Sequence, residues 1–367
     1  SVPSPQKGAL RGVPFLPVGE IGYSIPERTA PGRSDEMYKI RVLNSEDLKK
    51  LLDIRDVIPA VETAYEQYSR GEAELFPVIA HEFESGLREM DIKSGFLSRT
   101  GLAGLKVIGY VADNPDKRRI PAVSGLVMVL SIETGRPVGI LDGMVITEIR
   151  TGAAGAVGAR HLARKGSREV LIVGPGAQGR AQLHGLMKVL SGIEVVRIAG
   201  RDPEKLSRFV NEMSSLYPGV SLSAVRMEDI QGAVSSSDVI VTCTPAHEPY
   251  IMKDWVRPGT HINAIGADFS GKQELDEDLL PLSRLVADSK VQTLEIGEMQ
   301  TAFRKGLVRE SDVIEIGSVI SGDVVGRRSE EEITVFDSTG MALQDIVTAN
   351  LALVRAIERG IGSLVTM

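Results

Sequence analysis

The sequence predicts an α/β protein that joins a doubly wound parallel sheet to a smaller α+β domain. The first observation is an alternation of short apolar runs with helical patterns, with strands expected near 169–173, 194–199, 220–225, 238–243, 261–266 and 284–288. The second is a strand-rich block near 75–84, 89–97, 104–111, 121–133 and 136–142. Several of its segments alternate apolar and polar residues, as antiparallel strands do. A chain of 367 residues is expected to form about two domains.

The composition argues against several classes of function. The net charge is −7, which gives no electrostatic basis for binding nucleic acid. No apolar run approaches the roughly 20 residues of a membrane span, and no secretory signal opens the chain. A single cysteine, Cys243, rules out an internal disulfide, and five scattered histidines without a CxxC motif predict no metal site. We therefore expect a cytoplasmic protein without a nucleic-acid or membrane partner.

The elements follow in chain order. Residues 1–36 carry six prolines and few large apolar groups, so we expect an extended arm rather than part of a core. A strand over 38–43 precedes two helices, the first capped by Ser45 and the second opened by Asp56 with Pro59 in its first turn. After the strand-rich block, the turn at 133–136 (ETGR) predicts a hairpin.

Two further helices link the domains. The segment 147–162 is rich in glycine and alanine, which lowers its helix propensity, so we expect close packing against a helix or a cofactor to compensate. The amphipathic helix 342–359 is free to return to the first domain. The predicted organisation is therefore an arm at 1–36, a discontinuous domain at 37–145 and 342–367, and a parallel-sheet domain at 146–341.

A glycine motif identifies the parallel-sheet domain as a Rossmann NAD(P)-binding domain. The buried strand Val170–Val173 is followed by Gly174, Gly176 and Gly179, then by a helix and a second strand over 195–199. The three glycines permit a tight turn, an approach to the pyrophosphate and close packing of helix on strand. The helix N-terminus, which includes Ala177 and Gln178, would offer N–H groups to the phosphates.

The end of the second strand bears on the choice of coenzyme. The acidic residue that usually holds the ribose of NAD is replaced by Gly200, and Arg201 follows it. An arginine there suits the 2′-phosphate of NADP(H), which we favour over NAD(H). Asp202 keeps the alternative open, since a shift of two residues would make it the ribose ligand. Asp202 and Pro203 equally suit an N-cap and first residue of the next helix.

Five further motifs accompany the glycine motif. They are AGLKV at 103–107, TEIRTGAA at 147–154, VTCTP at 241–245, NAIGADFSGKQEL at 263–275 and ITVFDSTG at 333–340. With it they resemble the ornithine cyclodeaminase/mu-crystallin family, in the family's order, from about Met37 to Gly360. The resemblance implies a homodimer and a first domain that holds the substrate residues and the dimer interface. It also implies that the last helix packs back on that domain and that a nicotinamide coenzyme binds between the domains.

The resemblance also implies three principal site residues. Lys106 and Arg150 match the residues that bind the substrate carboxylate in the family, and Asp268 matches its catalytic aspartate. Each has a structural alternative. Lys106 could be a surface lysine, Arg150 could pair with Glu148, and Asp268 could cap the next helix.

Further site residues have lesser roles. Lys93 departs from the family's common pattern and either faces the substrate or lies in solvent, while Val78 replaces an arginine of the common Pro-Pro-Arg motif. The remaining residues are expected at the coenzyme, with Ser338 also near the substrate: Thr151, Thr244, Pro245, Ser338 and Gly340.

The predicted function is an NAD(P)H-dependent reductase of a small imino acid, or equally an amino-acid dehydrogenase. Lys106 and Arg150 would hold an α-carboxylate and Asp268 the reacting nitrogen. An extra cation at Lys93 would favour a dicarboxylate. Two alternatives stay open: a cyclodeaminase of the ornithine type that uses tightly held NAD, and a non-catalytic NADPH-binding protein like some mu-crystallins.

Overall fold

The computed structural model describes residues 38–84 and 86–367. The predicted arm at 1–36 lies outside the described residues. The strands of the described residues are β1 (Lys39–Leu43), β2 (Ala73–Leu75), β3 (Ile79–Glu84), β4 (Arg88–Leu97), β5 (Leu102–Val111), β6 (Val123–Ser131), β7 (Pro137–Asp142), β8 (Glu169–Val173), β9 (Val195–Gly200), β10 (Ser221–Arg226), β11 (Val239–Thr242), β12 (His261–Ala264), β13 (Ser283–Ala287), β14 (Val313–Glu315), β15 (Ile333–Asp337) and β16 (Ser363–Thr366).

The α-helices of the same residues pack around two sheets. They are α1 (Ser45–Leu51), α2 (Ile54–Ser69), α3 (Asn114–Arg118), α4 (Gly143–Leu162), α5 (Ala177–Val189), α6 (Pro203–Leu216), α7 (Ile230–Ser236), α8 (Lys290–Ile296), α9 (Gln300–Arg304), α10 (Ile316–Ile320) and α11 (Ala342–Arg359). Within this part of the chain, no helix is both long and apolar enough to span a membrane.

The first sheet has the order β16-β1-β7-β6-β5-β4-β2, with β3 also paired to β4. It is mixed rather than purely antiparallel, because β1 runs parallel to β7. The single strand predicted near 75–84 is wrong, since the chain leaves the sheet around Pro77 and forms β2 and β3 separately; proline cannot donate a hydrogen bond to a neighbouring strand. The hairpin at 133–136 is confirmed between antiparallel β6 and β7.

Two predicted helix starts need correction. Asn44, not Ser45, caps α1, and its side chain accepts the N–H of Asp47. The second helix begins at Ile54 after the cap Asp53, so it starts two residues before the predicted Asp56. In both cases a residue upstream of the predicted one, by one position at α1 and by three at α2, supplies the side-chain oxygen that a helix N-terminus requires.

The second sheet is parallel throughout and has the order β10-β9-β8-β11-β12-β15-β13-β14. The doubly wound fold class is confirmed, and the six predicted strands are present within two residues of their expected ends. Strands β14 and β15 were not predicted, and β15 lies between β12 and β13. The chain changes direction across the sheet between β8 and β11, which is where such sheets bind ligands.

The glycine-rich helix α4 packs tightly against α5. A Cβ atom at Gly152 would overlap the carbonyl oxygen of Ala181, and one at Gly155 would overlap the side chain of Gln182. The Gln182 amide also donates to the Thr151 carbonyl at 2.7 Å. Close packing against another helix therefore accounts for these two glycines.

The last helix, α11, lies against the first sheet. Ile346 on α11 is the nearest side chain to Gly104 of β5, and Leu343 approaches Gly95 of β4. Beyond the helix, β16 pairs antiparallel with β1. This pairing favours the discontinuous first domain, whose boundaries stay a prediction.

Candidate active site

The glycine loop between β8 and α5 has the geometry of a phosphate site. Gly174 has φ +121°, a left-handed conformation that favours glycine. A Cβ atom at Gly179 would overlap the Gly174 carbonyl oxygen, so helix and strand touch there. Gly176 has open space where its Cβ would be, which leaves the backbone accessible to a ligand.

The N-terminus of α5 fits an anionic group. Gly176 caps the helix without a side-chain hydrogen bond, and the first turn contains no acidic residue. The buried Oε1 atom of Gln178 has no hydrogen-bond partner among the described residues. Free backbone N–H groups and the helix dipole attract phosphate, so the loop from Gly174 to Gly179 suits a dinucleotide pyrophosphate.

A cavity of about 600 Å³ adjoins the ends of β9 and β10. Arg201 and Arg226 both line it. The carboxylate of Asp202 is occupied as the N-cap of α6, where it accepts the N–H groups of Glu204 and Lys205 at 3.0 and 3.1 Å. Asp202 therefore serves as the predicted cap. Arg226 was not predicted, because it ends the third strand of the sheet in chain order rather than the second.

Three cations are buried where the first sheet meets α4 and α11. Lys93 and Lys106 lie directly opposite each other in β4 and β5, and Arg150 projects from α4. Their exposed fractions are 7%, 3% and 5%, respectively. Both lysines are buried, so the alternative of a surface position is wrong for Lys106 and for Lys93. Like charges directly opposite in a sheet are unfavourable unless anions compensate them.

Asp345, in the first turn of α11, contacts two of these cations. Its carboxylate lies 3.1 Å from the Lys106 ammonium and accepts the Arg150 Nε–H at 3.1 Å. Arg150 also donates to Gln344 Oε1 at 2.8 Å, so its acidic partner is Asp345 and not Glu148. Burial and the nearby Arg150 charge lower the pKa of Lys106 to about 8, although Asp345 opposes this shift.

Lys93 and Asp288 hold the loop of the S-T-G motif from two sides. The Lys93 ammonium donates to the carbonyl oxygens of Thr339 and Gly340 at 3.0 and 3.2 Å. The buried Asp288 carboxylate accepts the Ser338 hydroxyl at 3.0 Å and the Gly340 N–H at 2.8 Å. Ser338 is thus anchored through its hydroxyl group, and Asp288 was not predicted.

Gly340 brings this loop against one of the buried cations. Its φ of +80° is left-handed, and a Cβ atom there would overlap the Arg150 guanidinium. Both features require glycine at this position. The close contact places the loop of the S-T-G motif directly beside Arg150.

Asp268 follows β12 at the carboxyl edge of the parallel sheet. Its Oδ1 lies 2.6 Å from the Lys272 ammonium, and 48% of its side chain is accessible to solvent. Burial would raise the pKa of Asp268, but the charges of Lys272, Lys93 and Arg150 lower it below its usual value. Asp268 is therefore ionised at neutral pH and within electrostatic range of the buried cations.

The remaining predicted residues belong to α4 and to the loop after β11. Thr151 is buried in α4 next to Arg150, and Thr244 and Pro245 follow β11. Cys243 is packed against Val173 and Gly174, and burial raises the pKa of its thiol, as expected for an unreactive cysteine. In the described part of the chain, no group of acidic, histidine or cysteine side chains is arranged to hold a metal ion.

Comparison with known proteins decides the family. The model of the ornithine cyclodeaminase/mu-crystallin family matches residues 39–359. The chain belongs to this family.

Characterised relatives in the ornithine cyclodeaminase/mu-crystallin family align over nearly their whole length. Alanine dehydrogenase of Archaeoglobus fulgidus is 38% identical, over 88% of this chain and 97% of that protein. Iminosuccinate reductase of Paracoccus denitrificans is 33% identical, over 87% and 98%. The structure of that reductase in complex with NAD⁺ superposes with a TM-score of 0.83 at 32% identity, covering 90% of this chain and 100% of the other.

The polar residues of the site that no local sequence pattern predicted include Asp345, Gln344, Asp288 and Lys272. Lys272 lies within the quoted motif at 263–275, four residues after Asp268, so its spacing was the available signal. Asp345 is 239 residues from Lys106, and no local pattern links them. Asp91, also missed, shares the inward face of β4 with Lys93, and burial raises the pKa of its carboxyl group.

Proposed function

We propose that this protein is an NAD(P)H-dependent reductase of a small imino acid and, in reverse, an amino-acid dehydrogenase. The observation that carries the proposal is the cluster of three buried cations, Lys93, Lys106 and Arg150, two of which, Lys93 and Arg150, lie within electrostatic range of Asp268. Buried cations are stable where anions meet them, and Asp345 is the carboxylate in contact with two of the three. A substrate carboxylate is the anion that such a site accommodates.

We assign the α-carboxylate of the substrate to Lys106 and Arg150. The Lys106 ammonium also donates to the Thr147 hydroxyl at 3.2 Å, which together with Asp345 fixes its direction. The planar guanidinium of Arg150 suits a carboxylate because it donates two parallel hydrogen bonds. Fixed cations at one end of the substrate orient its reacting carbon without further motion.

Asp268 acts on the nitrogen of the substrate. Its ionised carboxylate stabilises the positive charge of a protonated imine, and in the oxidative direction it attracts the proton that leaves the amino group. Lys272 keeps Asp268 ionised. A bound nicotinamide coenzyme supplies or accepts the hydride.

The pH dependence of substrate binding follows from Lys106. Its pKa of about 8 means that the ammonium loses its proton as the pH rises past that value. We expect kcat/KM for the imino acid to fall above about pH 8, because an uncharged amine binds carboxylate poorly. Lys106→Arg, which stays charged, should move this alkaline limb to higher pH. An unchanged limb in that variant would assign it to another group.

We further propose that NADP(H) is preferred over NAD(H). The support is the cavity lined by Arg201 and Arg226, together with the engagement of Asp202 as a helix cap. Arg201 makes no hydrogen bond or ion pair with the described residues, so its guanidinium is available to a 2′-phosphate. The similar iminosuccinate reductase of Paracoccus denitrificans is bound to NAD⁺ in its structure. The coenzyme preference of this protein is therefore tested directly with both coenzymes.

Replacing Arg201 with Ser should raise the KM for NADPH about tenfold and leave the KM for NADH within about twofold. The loss corresponds to one charged hydrogen bond at an exposed position. Steady-state kinetics with both coenzymes provide the measurement. Arg168→Ser is the matched control, since Arg168 pairs with Glu194 at the opposite edge of the sheet. Equal changes for both coenzymes would contradict the role of Arg201.

We also propose that the protein forms a homodimer through the outer face of the first sheet. Ile79, Ile92, Val107 and Leu126 are directly opposite one another across β3, β4, β5 and β6. They therefore form an apolar row, of which Ile79 and Leu126 are 58% and 55% exposed. A contiguous exposed apolar surface of this kind favours a protein partner. The similar archaeal alanine dehydrogenase structure is described as a dimer.

The double substitution Ile79→Lys with Leu126→Lys should convert the dimer to a monomer, because each subunit would bury two charges at the interface. Light scattering measures the mass in solution. Val291→Lys is the control, as Val291 is 67% exposed on α8. A wild-type monomer, or a variant that stays dimeric, would remove this assignment.

A substrate panel tests the proposed function. Purified protein would be mixed with NADPH or NADH and either preformed cyclic imines or 2-oxo acids with ammonia or methylamine. The charge of Lys93 in the cleft favours a second carboxylate, so oxaloacetate with ammonia belongs beside pyruvate with ammonia. Oxidation of coenzyme is the expected result. Its absence throughout, with ammonia release from L-ornithine or L-lysine and catalytic NAD⁺, would establish the cyclodeaminase alternative instead.

A further inference from the structure

The carboxylate of Glu274 joins two loops at the carboxyl edge of the parallel sheet. Its Oε1 accepts the backbone N–H and the hydroxyl group of Thr244, each at 2.7 Å. Its Oε2 accepts the backbone N–H of Gly266 at 3.0 Å. Thr244 follows β11 and Gly266 follows β12. These strands lie on the side of the switch point away from the cavity at Arg201, where the nicotinamide half of a dinucleotide belongs.

The side chain of Glu274 is tightly packed on all sides. Its side chain is completely buried, and the Tyr250 hydroxyl donates to the same Oε1 atom at 2.5 Å. A Cβ atom at Gly266 would overlap the Thr244 carbonyl oxygen and crowd Glu274 Oε2. The positions of both loops therefore depend on this one carboxylate, because irregular backbone lacks the hydrogen bonds of a sheet or helix to hold it.

A second buried carboxyl group, that of Glu298, holds the backbone at Glu274. Glu298 accepts the backbone N–H groups of Glu274 at 3.0 Å and of Leu275 at 2.7 Å. Burial, and then the charge of Glu274, raise the pKa of Glu298 to about 8. Burial raises the pKa of Glu274 as well. The four donors that point at its two oxygens, from Thr244, Tyr250 and Gly266, stabilise the charged carboxylate against this burial.

We propose that Glu274 is a positioning residue for the nicotinamide end of the coenzyme, acting through Thr244 and Gly266. The inference rests on the proposed function, which supplies the dinucleotide. Glu274 does not itself touch the coenzyme, since its two oxygens are engaged by the loops. Its effect is confined to one half of the dinucleotide, because the phosphate loop and the Arg201 cavity make no hydrogen bond to it.

The test compares two ligands in the variant Glu274→Gln. The first is NADPH, and the second is 2′-phospho-ADP-ribose, which is NADPH without its nicotinamide. The glutamine amide cannot accept the Gly266 N–H while its oxygen faces Thr244, so one loop loses its acceptor. We expect the Kd for NADPH to rise about tenfold and the Kd for the fragment to stay within about twofold. Glu295→Gln, at an exposed position on α8, is the control.

Equal weakening of both ligands, or a lower melting temperature with unchanged affinity for NADPH, would show a purely structural role and overturn the inference. If Glu274→Gln fails to fold, Tyr250→Phe decides the question, because it removes one donor to Glu274 and keeps the carboxylate. This variant should raise the Kd for NADPH about two- to threefold and leave the Kd for the fragment unchanged. An unchanged Kd for NADPH would overturn the inference. A wild-type protein that binds neither NADPH nor NADH would refute the proposed function itself.

Discussion

Replacing Asp268 with Asn should lower kcat by about 10²–10⁴-fold and leave the Kd for coenzyme within about twofold. The amide keeps the size of the side chain and removes the charge that stabilises a protonated imine. The effect should fall on kcat because the carboxylate keeps the bound imine protonated, and the protonated imine is the form that accepts hydride readily. Single-turnover kinetics with saturating coenzyme and substrate measure the chemical step directly.

The control for Asp268 is Asp323→Asn, which makes the same change at an exposed position after α10. It should retain wild-type kinetics. Lys272→Met gives a further check, since loss of the 2.6 Å ion pair should raise the pKa of Asp268 and move the acidic limb of the pH profile upward. Activity that persists in Asp268→Asn would mean that another group acts on the substrate nitrogen.

Replacing Lys106 with Met should lower kcat/KM for the imino acid by about 10- to 150-fold. The substitution removes a hydrogen bond from a charged donor, worth about 1.5–3 kcal/mol, and each 1.36 kcal/mol corresponds to a factor of ten. Methionine fills a similar volume, and Asp345 keeps its contact with Arg150. The fold should therefore survive the change.

The effect of Lys106→Met should be confined to the imino acid and should not extend to the coenzyme. The KM for coenzyme should stay near the wild-type value, because Lys106 contacts Thr147 and Asp345 rather than the glycine loop. A matched variant, Lys49→Met, removes an exposed lysine from α1 and should be neutral. Equal losses in coenzyme and substrate binding would indicate general disruption of the cleft and contradict a carboxylate role.

The parts of the fold that follow from local patterns were predictable. The glycine motif, the strands β8 and β9 and the helix α11 each depend on residues close in sequence, and α11 begins and ends at the predicted residues. The glycine content of α4 also predicted its close packing against a neighbouring element. Errors of up to four residues arose at helix starts, where several polar residues compete to be the cap. The largest is at α4, which begins at Gly143 rather than near 147.

The unpredicted features depend on contacts between distant residues. Strand β15 inserts between β12 and β13, and no sequence period encodes which strands become neighbours. The same holds at the site, where Asp288 meets Ser338 and Glu274 meets Thr244 only after folding. The role of Lys93 was likewise open, because its carbonyl partners Thr339 and Gly340 lie 246 and 247 residues away.

The most direct test of the proposed function is the transfer of deuterium from NADPH labelled at the nicotinamide C4 position. A reductase that holds an imino acid between Lys106, Arg150 and Asp268 should place one deuterium on the α-carbon of the amino-acid product. One NADP⁺ should form for each product molecule, as measured by mass spectrometry and absorbance. Product without deuterium, or ammonia release from a diamino acid without net oxidation of coenzyme, would contradict the reductase.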